Sequence, residues 1–448
     1  MSQITDHDHD QGPIVEPQTV DLSLQELLLF AMQLHRDNKF DGAEKCYRSA
    51  LQVEPDNANA LHYLGVLLHQ RRQFPDAITL IQRSIAIDPD VAAWQNNFGN
   101  VLLEESRYDE AAIAYARCSE LDANNLEVLN NLGVLLRKLN RQDEAEESFK
   151  QAVSRDPSFG DAHANLATLY TLQKRFTEAF SHFADALKLK PQSLDVRRLL
   201  MMAYGKAGRI EEAREACREW LTLAPDDPRA AHFMAAYGAL EIPERASDQY
   251  VVTEFDGFAN SFDAQLAALE YRAPQWVAEA VAGLLGEPAK QCKIMDAGCG
   301  TGLCAPYLRP YAKWLGGIDL SANMLMRAKD RGLYDELIQS ELVHCLQTGD
   351  GGFDVVVSAD TLCYFGKLTN AFSAVRQTLR HGGYWVFTVE SHTLDFDFKL
   401  QLHGRYSHSK NYIERELGKA GFENVELKAV SLRFECGEPV AGWLVSAW

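Results

Sequence analysis

The sequence has no long apolar run, few basic residues for its length and no regular set of cysteines. No stretch approaches the roughly 18 uninterrupted apolar residues that a membrane-spanning helix needs. The chain carries 44 Lys and Arg residues against 63 Asp and Glu residues, a formal charge of −19 at pH 7. Binding to nucleic acid relies on clustered basic side chains. This balance therefore argues against a nucleic-acid partner and equally against an anionic membrane surface.

The cysteines and the N-terminus both favour a cytoplasmic protein. Nine cysteines are an odd number without a regular spacing, which is typical of reduced thiols. No second cysteine pair joins Cys299 and Cys304 to complete a zinc site, so we expect them to be small packing residues and predict no metal centre. The opening MSQITDHDHDQGP lacks the basic and then apolar order of a secretory signal. We predict that residues 1–20 form a disordered acidic tail.

The chain is long enough for more than one domain, and its first half repeats. It has 448 residues, of which 46% are apolar, as in a globular protein. A period of 34 residues runs through it. Three columns keep this period: Pro55, Pro89, Pro157, Pro191 and Pro225; Ala43, Ala77, Ala111, Ala145, Ala179 and Ala213; and Ala31, Gly65, Gly99, Gly133, Ala167 and Met201. A bulky residue follows each alanine of the second column by four positions, with Cys217 as the weak member.

These columns resemble the tetratricopeptide repeat, in which paired helices cross at small residues and a proline closes the unit. Six copies cover about residues 24–227, and residues 228–240 read as one more helix over the open end. Met201 and Cys217 depart from their columns, so the sixth copy resembles a terminal cap. Because a single repeat cannot bury its own apolar face, the copies are expected to stack into a superhelical solenoid over residues 21–240 with a concave groove.

One polar column marks a candidate partner site in that groove. Asn97, Asn131 and Asn165 occupy the same position on the first helix of three successive repeats. An asparagine amide offers both a donor and an acceptor, which match a peptide backbone. The column resembles the asparagine ladder of O-linked N-acetylglucosamine transferases, which grips peptide, and so implies a protein or peptide partner. Alternatively, these amides solvate the helix face or bond within the repeats.

The composition of the sequence changes between residues 241 and 250. Residues 241–249, EIPERASDQ, combine Pro, charge and small polar residues and are predicted to be a linker. The next segment places Phe255, Phe258 and Phe262 at helical spacing. These helices either form a lid on the following domain or pack as ordinary core.

From residue 250 onward, short apolar strands alternate with helices. KIMDAGCGTG reads as a strand followed by glycines at alternate positions, and WLGGIDL and FDVVVSAD read as further strands. Strands that alternate with helices of about 10–15 residues predict a parallel sheet covered on both faces. At the end of the chain, NVELKAVSLRF and PVAGWLVSAW have no helix between them and are predicted to form an antiparallel hairpin.

Residues 250–448 resemble the class I S-adenosylmethionine-dependent methyltransferases, with a Rossmann-like α/β fold. The likeness rests on DAGCGTG (296–302) and GIDLSANM (317–324) together with the terminal hairpin. It is closer still to predicted methyltransferases that carry tetratricopeptide repeats ahead of this domain, whose features appear here as FDGFANSFDAQLAALEYRAP, DTLCYFGKL and GRYSHS. A nicotinamide enzyme is the alternative for a glycine loop, but its pattern is G-x-G-x-x-G rather than the G-x-G-x-G found in this chain.

The resemblance implies S-adenosylmethionine as cofactor and a set of residues that bind it. The glycines leave backbone open to the methionyl part of the cofactor, the aspartate after the second strand accepts from the ribose hydroxyls, the glutamate lies near the adenine amine, and the methionine flanks that ring. The residues so assigned are Asp296, Gly298, Gly300, Gly302, Asp319, Leu320, Met324, Glu341 and Asp360. Asp360 follows the fourth strand and is expected to face the methionyl end and the methyl acceptor.

The acceptor pocket is predicted around LHGRYSHS, a loop-like stretch after the fifth strand. His403, Tyr406 and His408 are candidate general bases, since hydroxyl and ammonium acceptors must lose a proton. Alternatively these side chains only shape the pocket, while Arg405 clamps a carboxylate and Tyr364 and Phe365 wall the site.

The sequence leaves two principal functions open: the repeats deliver a protein or peptide substrate, or the enzyme methylates a small molecule and the repeats are a separate docking scaffold. A scaffold that only senses the cofactor is a further possibility, which the intact motif residues disfavour.

Overall fold

The computed structural model describes residues 23–435 and 437–448. The predicted acidic tail, residues 1–20, lies outside this range. The chain divides into two compact units, residues up to Leu169 and residues 170–448. Among the described residues, no helix has both the length and the apolar character that a membrane span needs.

Paired antiparallel helices, alternately 13 and 14 residues long, build the first unit. The helices are α1 (Leu24–Arg36), α2 (Phe40–Val53), α3 (Ala58–Gln70), α4 (Phe74–Ile87), α5 (Ala92–Glu104), α6 (Tyr108–Leu121), α7 (Leu126–Lys138), α8 (Gln142–Arg155) and α9 (Gly160–Leu172). Within each pair the turn contains a residue with left-handed backbone, and these residues keep the sequence period: Asn38, Arg72, Ser106 and Asn140. The repeat thus fixes backbone conformation as well as side-chain type.

The small-residue column allows the two helices of a repeat to approach closely. A Cβ added at Gly99 would lie 2.6 Å from the ring of Tyr115, and one added at Gly133 would lie 2.5 Å from the ring of Phe149. Both aromatic rings are buried. The glycine and the aromatic residue are therefore complementary in volume, which confirms the predicted packing.

The second unit begins with further helices of the same kind and then becomes an α/β fold. Its first helices are α10 (Phe176–Leu189), α11 (Leu194–Lys206), α12 (Ile210–Leu223) and α13 (Pro228–Ala236). In the sixth repeat, Met201 stands where others have a small residue and Cys217 stands where they have a bulky one. Both are fully buried, with their sulfur atoms 3.0 Å apart. The volumes have exchanged between the two columns, so the sixth copy keeps the packing of the others.

The α/β part follows. Its helices are α14 (Asp248–Phe258), α15 (Phe262–Ala268), α16 (Ala273–Leu285), α17 (Ala305–Leu308), α18 (Ala322–Asp330), α19 (Leu342–Thr348), α20 (Thr369–Thr378) and α21 (Lys410–Ala420). Its strands are β1 (Cys292–Ala297), β2 (Ala312–Asp319), β3 (Glu336–Gln339), β4 (Phe353–Ser358), β5 (Leu379–Ser391), β6 (Phe398–Leu400), β7 (Tyr406–His408), β8 (Val425–Glu435) and β9 (Glu438–Ala447).

The sheet order is β3-β2-β1-β4-β5-β7-β6, with β1 to β5 parallel to their neighbours. The last two strands pair antiparallel with each other, and β9 also pairs antiparallel with β5. Successive residues of β5 pack on opposite faces: Trp385 and Phe387 belong to one buried cluster and Val386 to the other. Helical repeats followed by an α/β fold with a terminal hairpin were expected, and this fold class is confirmed.

One local feature differs from the sequence expectations. Residues 406–408 form strand β7 rather than a loop, because they pair with β6 and with the end of β5. The predicted linker, residues 241–249, is tied by hydrogen bonds to residues after β4. Ala246 donates its backbone N–H to the carbonyl of Tyr364 at 2.8 Å, and Gly366 donates to the carbonyl of Glu244 at 2.9 Å.

Candidate functional site

A cavity of about 310 Å³ opens where β1, β2 and β4 end. The residues directly after these strands line it, together with residues 340–342, parts of α14 and α15, and the side chains of Arg405 and Arg433. In open α/β sheets, ligands bind outside the carboxyl ends of the strands. Of the predicted cofactor residues, the structure brings seven to the cavity lining: Gly298, Gly300, Asp319, Leu320, Met324, Glu341 and Asp360.

The three positions after β1 require glycine for different structural reasons. All three have positive φ, 83° at Gly298, 54° at Gly300 and 84° at Gly302. A Cβ at Gly298 would lie 2.2 Å from the Thr361 side chain, and one at Gly302 would lie 2.9 Å from the ring of Tyr334. A Cβ at Gly300 would meet only Phe262, at 4.0 Å. Gly298 and Gly302 therefore serve packing, whereas Gly300 leaves bare backbone beside open space.

Asp296 lies beneath this loop and outside the cavity lining. It is fully buried, and the Tyr334 hydroxyl donates to its Oδ2 at 2.6 Å. Burial raises the pKa of Asp296 to about 7, against the smaller opposing effect of the Tyr334 hydrogen bond. The predicted role of Asp296 as a cofactor ligand stays a prediction, while its geometry is that of a support for the loop.

Asp319 links the glycine loop to the end of β2. The backbone N–H groups of Gly300 and Ser321 donate to its two carboxyl oxygens, each at 2.9 Å. Burial raises the pKa of Asp319. Each carboxylate oxygen has a second lone pair, so Asp319 can still accept hydrogen bonds from a ligand in the cavity.

Glu341 and Met324 lie at the same end of the cavity as Asp319. Glu341 caps α19, accepting from the His344 backbone N–H at 2.8 Å through Oε2. Its Oε1 is buried and has no hydrogen-bond partner among the described residues. Met324 is buried in the first turn of α18. This end of the cavity therefore offers an apolar contact beside an unsatisfied acceptor.

Asp360 forms the other end of the cavity and belongs to a buried ionic cluster. Its backbone has the left-handed φ of 56°, held by a hydrogen bond from its N–H to Thr388 Oγ1 at 2.8 Å. Arg433 donates to Asp360 Oδ2 at 2.6 Å and also to Glu435 at 2.7 Å. Sequence reasoning missed Arg433 and Glu435, because they follow each other on β8 without a motif and meet Asp360 only in the folded chain.

The aromatic helices predicted as lid or core border the cavity. Phe255, Phe258 and Phe262 all line it. Polar contacts fasten these helices to the segments after β1 and β2: Thr301 donates to Asp263 at 2.5 Å, and Ser321 donates to Asp256 at 2.5 Å. We call residues 248–268 the lid segment, because they cover the glycine loop.

The three candidate bases do not lie together at the cavity. Tyr406 is fully buried and donates its hydroxyl to the carbonyl of Pro243 at 2.9 Å. His408 is also fully buried and bonds to the carbonyl of Gly366 at 3.0 Å. His403 is exposed and outside the cavity lining, with Nε2 at 3.5 Å from Glu390. Arg405, the suggested clamp, does line the cavity, but Glu390 already accepts from its Nε at 2.6 Å.

The three asparagines of the column have different surroundings in the structure. Asn97 lies 3.2 Å from the His62 ring nitrogen Nε2 of the preceding repeat, and Asn165 donates to Asn130 at 2.8 Å. Asn131 is exposed. Two of the three amides thus contact the preceding repeat, and Asn131 is the member presented to solvent.

Comparison with known proteins adds two families. A profile described as a methyltransferase domain matches residues 295–387. Profiles described as tetratricopeptide repeats match residues 28–92, 90–158, 130–194 and 170–237. The first half and the glycine-loop region of the chain therefore match different families.

Among curated proteins, methyltransferase-like protein 27 of Homo sapiens is 32% identical over 38% of this chain and 68% of that protein. The biotin biosynthesis bifunctional protein BioHC of Saccharophagus degradans is 30% identical over 28% of this chain and 23% of its own length. The 18S rRNA (guanine-N(7))-methyltransferase of Bos taurus is 29% identical over 30% of this chain and 47% of its own length. The chain thus spans two thirds of the first relative and less than half of the other two.

Among solved structures, YrrB, a tetratricopeptide-repeat protein with an unusual peptide-binding site, is 20% identical over 42% of this chain and 96% of its own, with a TM-score of 0.37. A TM-score of that size supports no inference about function.

Proposed function

The chain belongs to the methyltransferases and carries tetratricopeptide repeats ahead of its methyltransferase domain, and on that premise we propose that it is an S-adenosylmethionine-dependent enzyme. The observation that carries the proposal is the cavity lined by both the glycine loop and Asp319. When bound, S-adenosylmethionine supplies a methyl group made transferable by its sulfonium.

The residues of the cavity fit this cofactor chemically. The open backbone at Gly300 leaves room for the methionyl part, and Asp319 would accept from the ribose hydroxyls. Glu341 carries a buried oxygen that lacks a donor, which the adenine amine would supply, and Met324 and Leu320 would flank the ring. A buried acceptor left without a donor is unfavourable, so a ligand that supplies donors stabilises this site.

The lid segment contributes the exclusion of water. Phe255, Phe258 and Phe262 cover the loop with apolar surface, and Asp263 and Asp256 hold them in place. A dry site strengthens the electrostatic interactions inside it. In-line transfer then depends chiefly on how these residues align the acceptor.

For the repeats we propose recruitment of a protein or peptide, which is either the substrate or a partner. The support is the repeat family and the solvent-facing amide of Asn131. The alternative is a small-molecule methyltransferase with the repeats as a separate docking scaffold. The lid segment, held by Asp263 and Asp256, narrows the cavity towards a small acceptor or a single side chain, which is compatible with both roles.

Titration calorimetry with S-adenosylmethionine tests the cofactor site. We expect binding by the wild-type chain and its loss in Asp319→Ala. The matched control is Asp350→Asn, an exposed acid in the turn after α19. Equal affinities in Asp319→Ala and wild type would refute the site.

A labelled-lysate experiment separates the two acceptor classes. Extract from cells lacking this protein is incubated with the purified chain and radioactive S-adenosylmethionine, and then fractionated by size. Label in proteins supports recruitment of a protein substrate. Label confined to small molecules eliminates that role and leaves the docking scaffold.

A further inference from the structure

A partly buried group of charges at one end of the cavity does not balance. The group consists of Asp360, Glu390, Glu435, Arg405 and Arg433, of which Glu390 and Arg433 are buried and the Glu435 side chain is 32% exposed. Arg433 donates to all three carboxyls, at 2.6 Å to Asp360, at 2.7 Å to Glu435 and by a short contact to Glu390. Arg405 donates to Glu390 at 2.6 Å and also contacts Glu435. Three carboxyls against two guanidinium groups leave one excess negative charge when all are ionised.

The neighbouring titratable groups do not supply the missing positive charge. His403, an exposed residue, lies 3.5 Å from Glu390, and partial burial and then Arg405 lower its pKa. Burial holds the pKa of Tyr271, beside Asp360, well above its ordinary value. A buried charge that lacks a counter-charge is strongly unfavourable. Without a ligand, this group of charges therefore either holds an extra proton or stays unbalanced until a cation binds.

Asp360 is the member of the group that offers a place for such a cation. It lines the cavity, and its backbone conformation is locked by Thr388. Its Oδ2 accepts from Arg433, while its Oδ1 is buried and has no partner among the described residues. By contrast, Arg433 already donates Nε, Nη1 and Nη2 to the three carboxyls. This end of the cavity therefore has a free acceptor, Asp360 Oδ1, and needs a donor to pair with it.

Aromatic side chains line the cavity beside this carboxyl. Tyr271, Tyr364 and Phe255 all belong to its lining, and the rings of Phe255 and Tyr364 meet edge to face with centroids 5.4 Å apart. Aromatic faces attract cations, and aromatic cages recognise alkylated ammonium groups. A carboxyl acceptor and aromatic walls together match an ammonium headgroup on an apolar body.

We propose that this end of the cavity binds the methyl acceptor as a primary or secondary amine, whose ammonium form donates to Asp360 Oδ1 and balances the buried charge. The inference rests on the proposed function and names its substrate class. A carboxylate or phosphate acceptor would add a second unbalanced negative charge. A neutral alcohol would satisfy Oδ1 but leave the charge in place.

The test measures binding to the full chain saturated with S-adenosylhomocysteine, so that the ammonium of the cofactor is already in place. The probes are three matched sets with butyl, 2-phenylethyl or 2-naphthylethyl bodies, each as the amine, the alcohol and the carboxylic acid. Calorimetry at pH 7.5 is expected to show, in at least one set, an amine that binds at least 10-fold more tightly than its alcohol, and no binding of the acid. If the amine lacked this advantage in all three sets, the inference would be overturned.

Variants locate the effect at one carboxyl. Asp360→Asn is expected to remove the preference for the amine, and Asp360→Glu to retain it. The matched control is Asp350→Asn, which alters an exposed carboxyl outside the cavity lining and should leave amine binding within twofold. An unchanged preference in an Asp360→Asn chain that binds S-adenosylhomocysteine would contradict the assignment.

Two further readouts complete the test. A lysine-containing peptide and its acetyllysine counterpart show whether the amine comes from a protein, whereas binding of the small amines alone indicates a small molecule. S-Adenosylhomocysteine binding without any amine binding would sink the inference and leave the proposed function standing. Failure to bind S-adenosylhomocysteine would refute the proposed function itself, and the inference with it.

Discussion

At the scale of single residues, Gly298 and Gly300 have the same sequence signature but different surroundings. Both have positive φ, yet only Gly298 faces a side chain at 2.2 Å. The clash includes the Cβ of Thr361 at 2.7 Å, which no change of rotamer removes. The demand for glycine is therefore steric at Gly298 and conformational at Gly300.

Alanine at each position separates stability from binding. A non-glycine residue with left-handed backbone costs about 1–2 kcal/mol, and overpacking adds about 1–3 kcal/mol. Gly298→Ala should thus lose roughly 2–5 kcal/mol of unfolding free energy, and Gly300→Ala only about 1–2 kcal/mol. Gly300→Ala should nevertheless bind S-adenosylmethionine at least tenfold more weakly, because its methyl group occupies the cofactor side of the loop. Urea unfolding and calorimetry measure the two quantities, and equal stability losses would contradict the steric account.

Asp296 makes the stability of the fold depend on pH. Its pKa is raised to about 7 in the folded chain, against about 3.9 for an unperturbed aspartate. Between these values the folded chain holds a proton that the unfolded chain has lost, so the unfolding free energy falls as the pH rises. From pH 5 to pH 8, wild type should lose about 3 kcal/mol relative to Asp296→Asn.

Urea unfolding of both proteins at pH 5, 6, 7 and 8 checks this expectation. The difference between wild type and variant is the relevant quantity, because burial also raises the pKa of Asp319 and Asp360, and both proteins retain them. Parallel pH profiles would show that Asp296 ionises freely in the folded chain.

At the scale of secondary-structure elements, the exchange between Met201 and Cys217 shows that a repeat conserves the summed volume of its two contact positions. Met201→Gly alone leaves a cavity, with an expected loss of about 3 kcal/mol or more, and Cys217→Tyr alone overpacks the site. The double variant restores the glycine and tyrosine pair of the third repeat. Its loss should be smaller than the sum of the single losses by at least about 1 kcal/mol.

A double-mutant cycle by chemical denaturation measures this coupling. The mirrored control is Gly133→Met with Phe149→Cys in the fourth repeat, where the same exchange runs in the other direction. Additive effects in both cycles would mean that the columns pack independently.

The elements that sequence predicted well are those specified by local pattern. The period of 34 residues required every repeat to place a small residue opposite a bulky one, and the apolar runs ending at Asp296, Asp319 and Asp360 identified parallel strands whose ends meet. The stretch LHGRYSHS was expected to be a loop, because Tyr406, Ser407 and His408 carry no apolar alternation. Their pairing with β5 and β6 decides their conformation instead.

The charge cluster was beyond sequence reasoning for a related reason. Three members of the cluster lie far apart in the sequence. Asp360 follows β4, Glu390 lies in β5, 30 positions later, and Arg433 lies in β8, a further 43 positions along. No spacing rule links them, and each alone reads as an ordinary polar residue. Only the order of the sheet, which places β9 between β5 and β8, brings them together.

At the scale of the whole molecule, the sequence boundary at residue 250 cuts through packed structure. His232 of α13 bonds to the carbonyl of Gly404 at 2.8 Å and stacks on Tyr250 of α14 at 4.0 Å. Ala235 packs with Leu400 and Tyr406. Helix α13 thus packs on both neighbours: Ala230, Phe233 and Met234 join the buried cluster of the sixth repeat, while His232 and Ala235 contact the α/β fold.

Two fragments test where the methyltransferase domain begins. A fragment of residues 250–448 lacks α13 and the segment that bonds to Tyr364, whereas one of residues 191–448 retains both together with the buried cluster around Trp220. Losing these contacts should cost about 3 kcal/mol, which for a domain of 150–250 residues corresponds to a melting temperature lower by about 10 °C. We therefore expect the longer fragment to bind S-adenosylmethionine as the full chain does, and the shorter one to melt earlier and bind more weakly. Equal melting temperatures and affinities would place the boundary at residue 250 after all, and would make α13 a cap of the repeats alone.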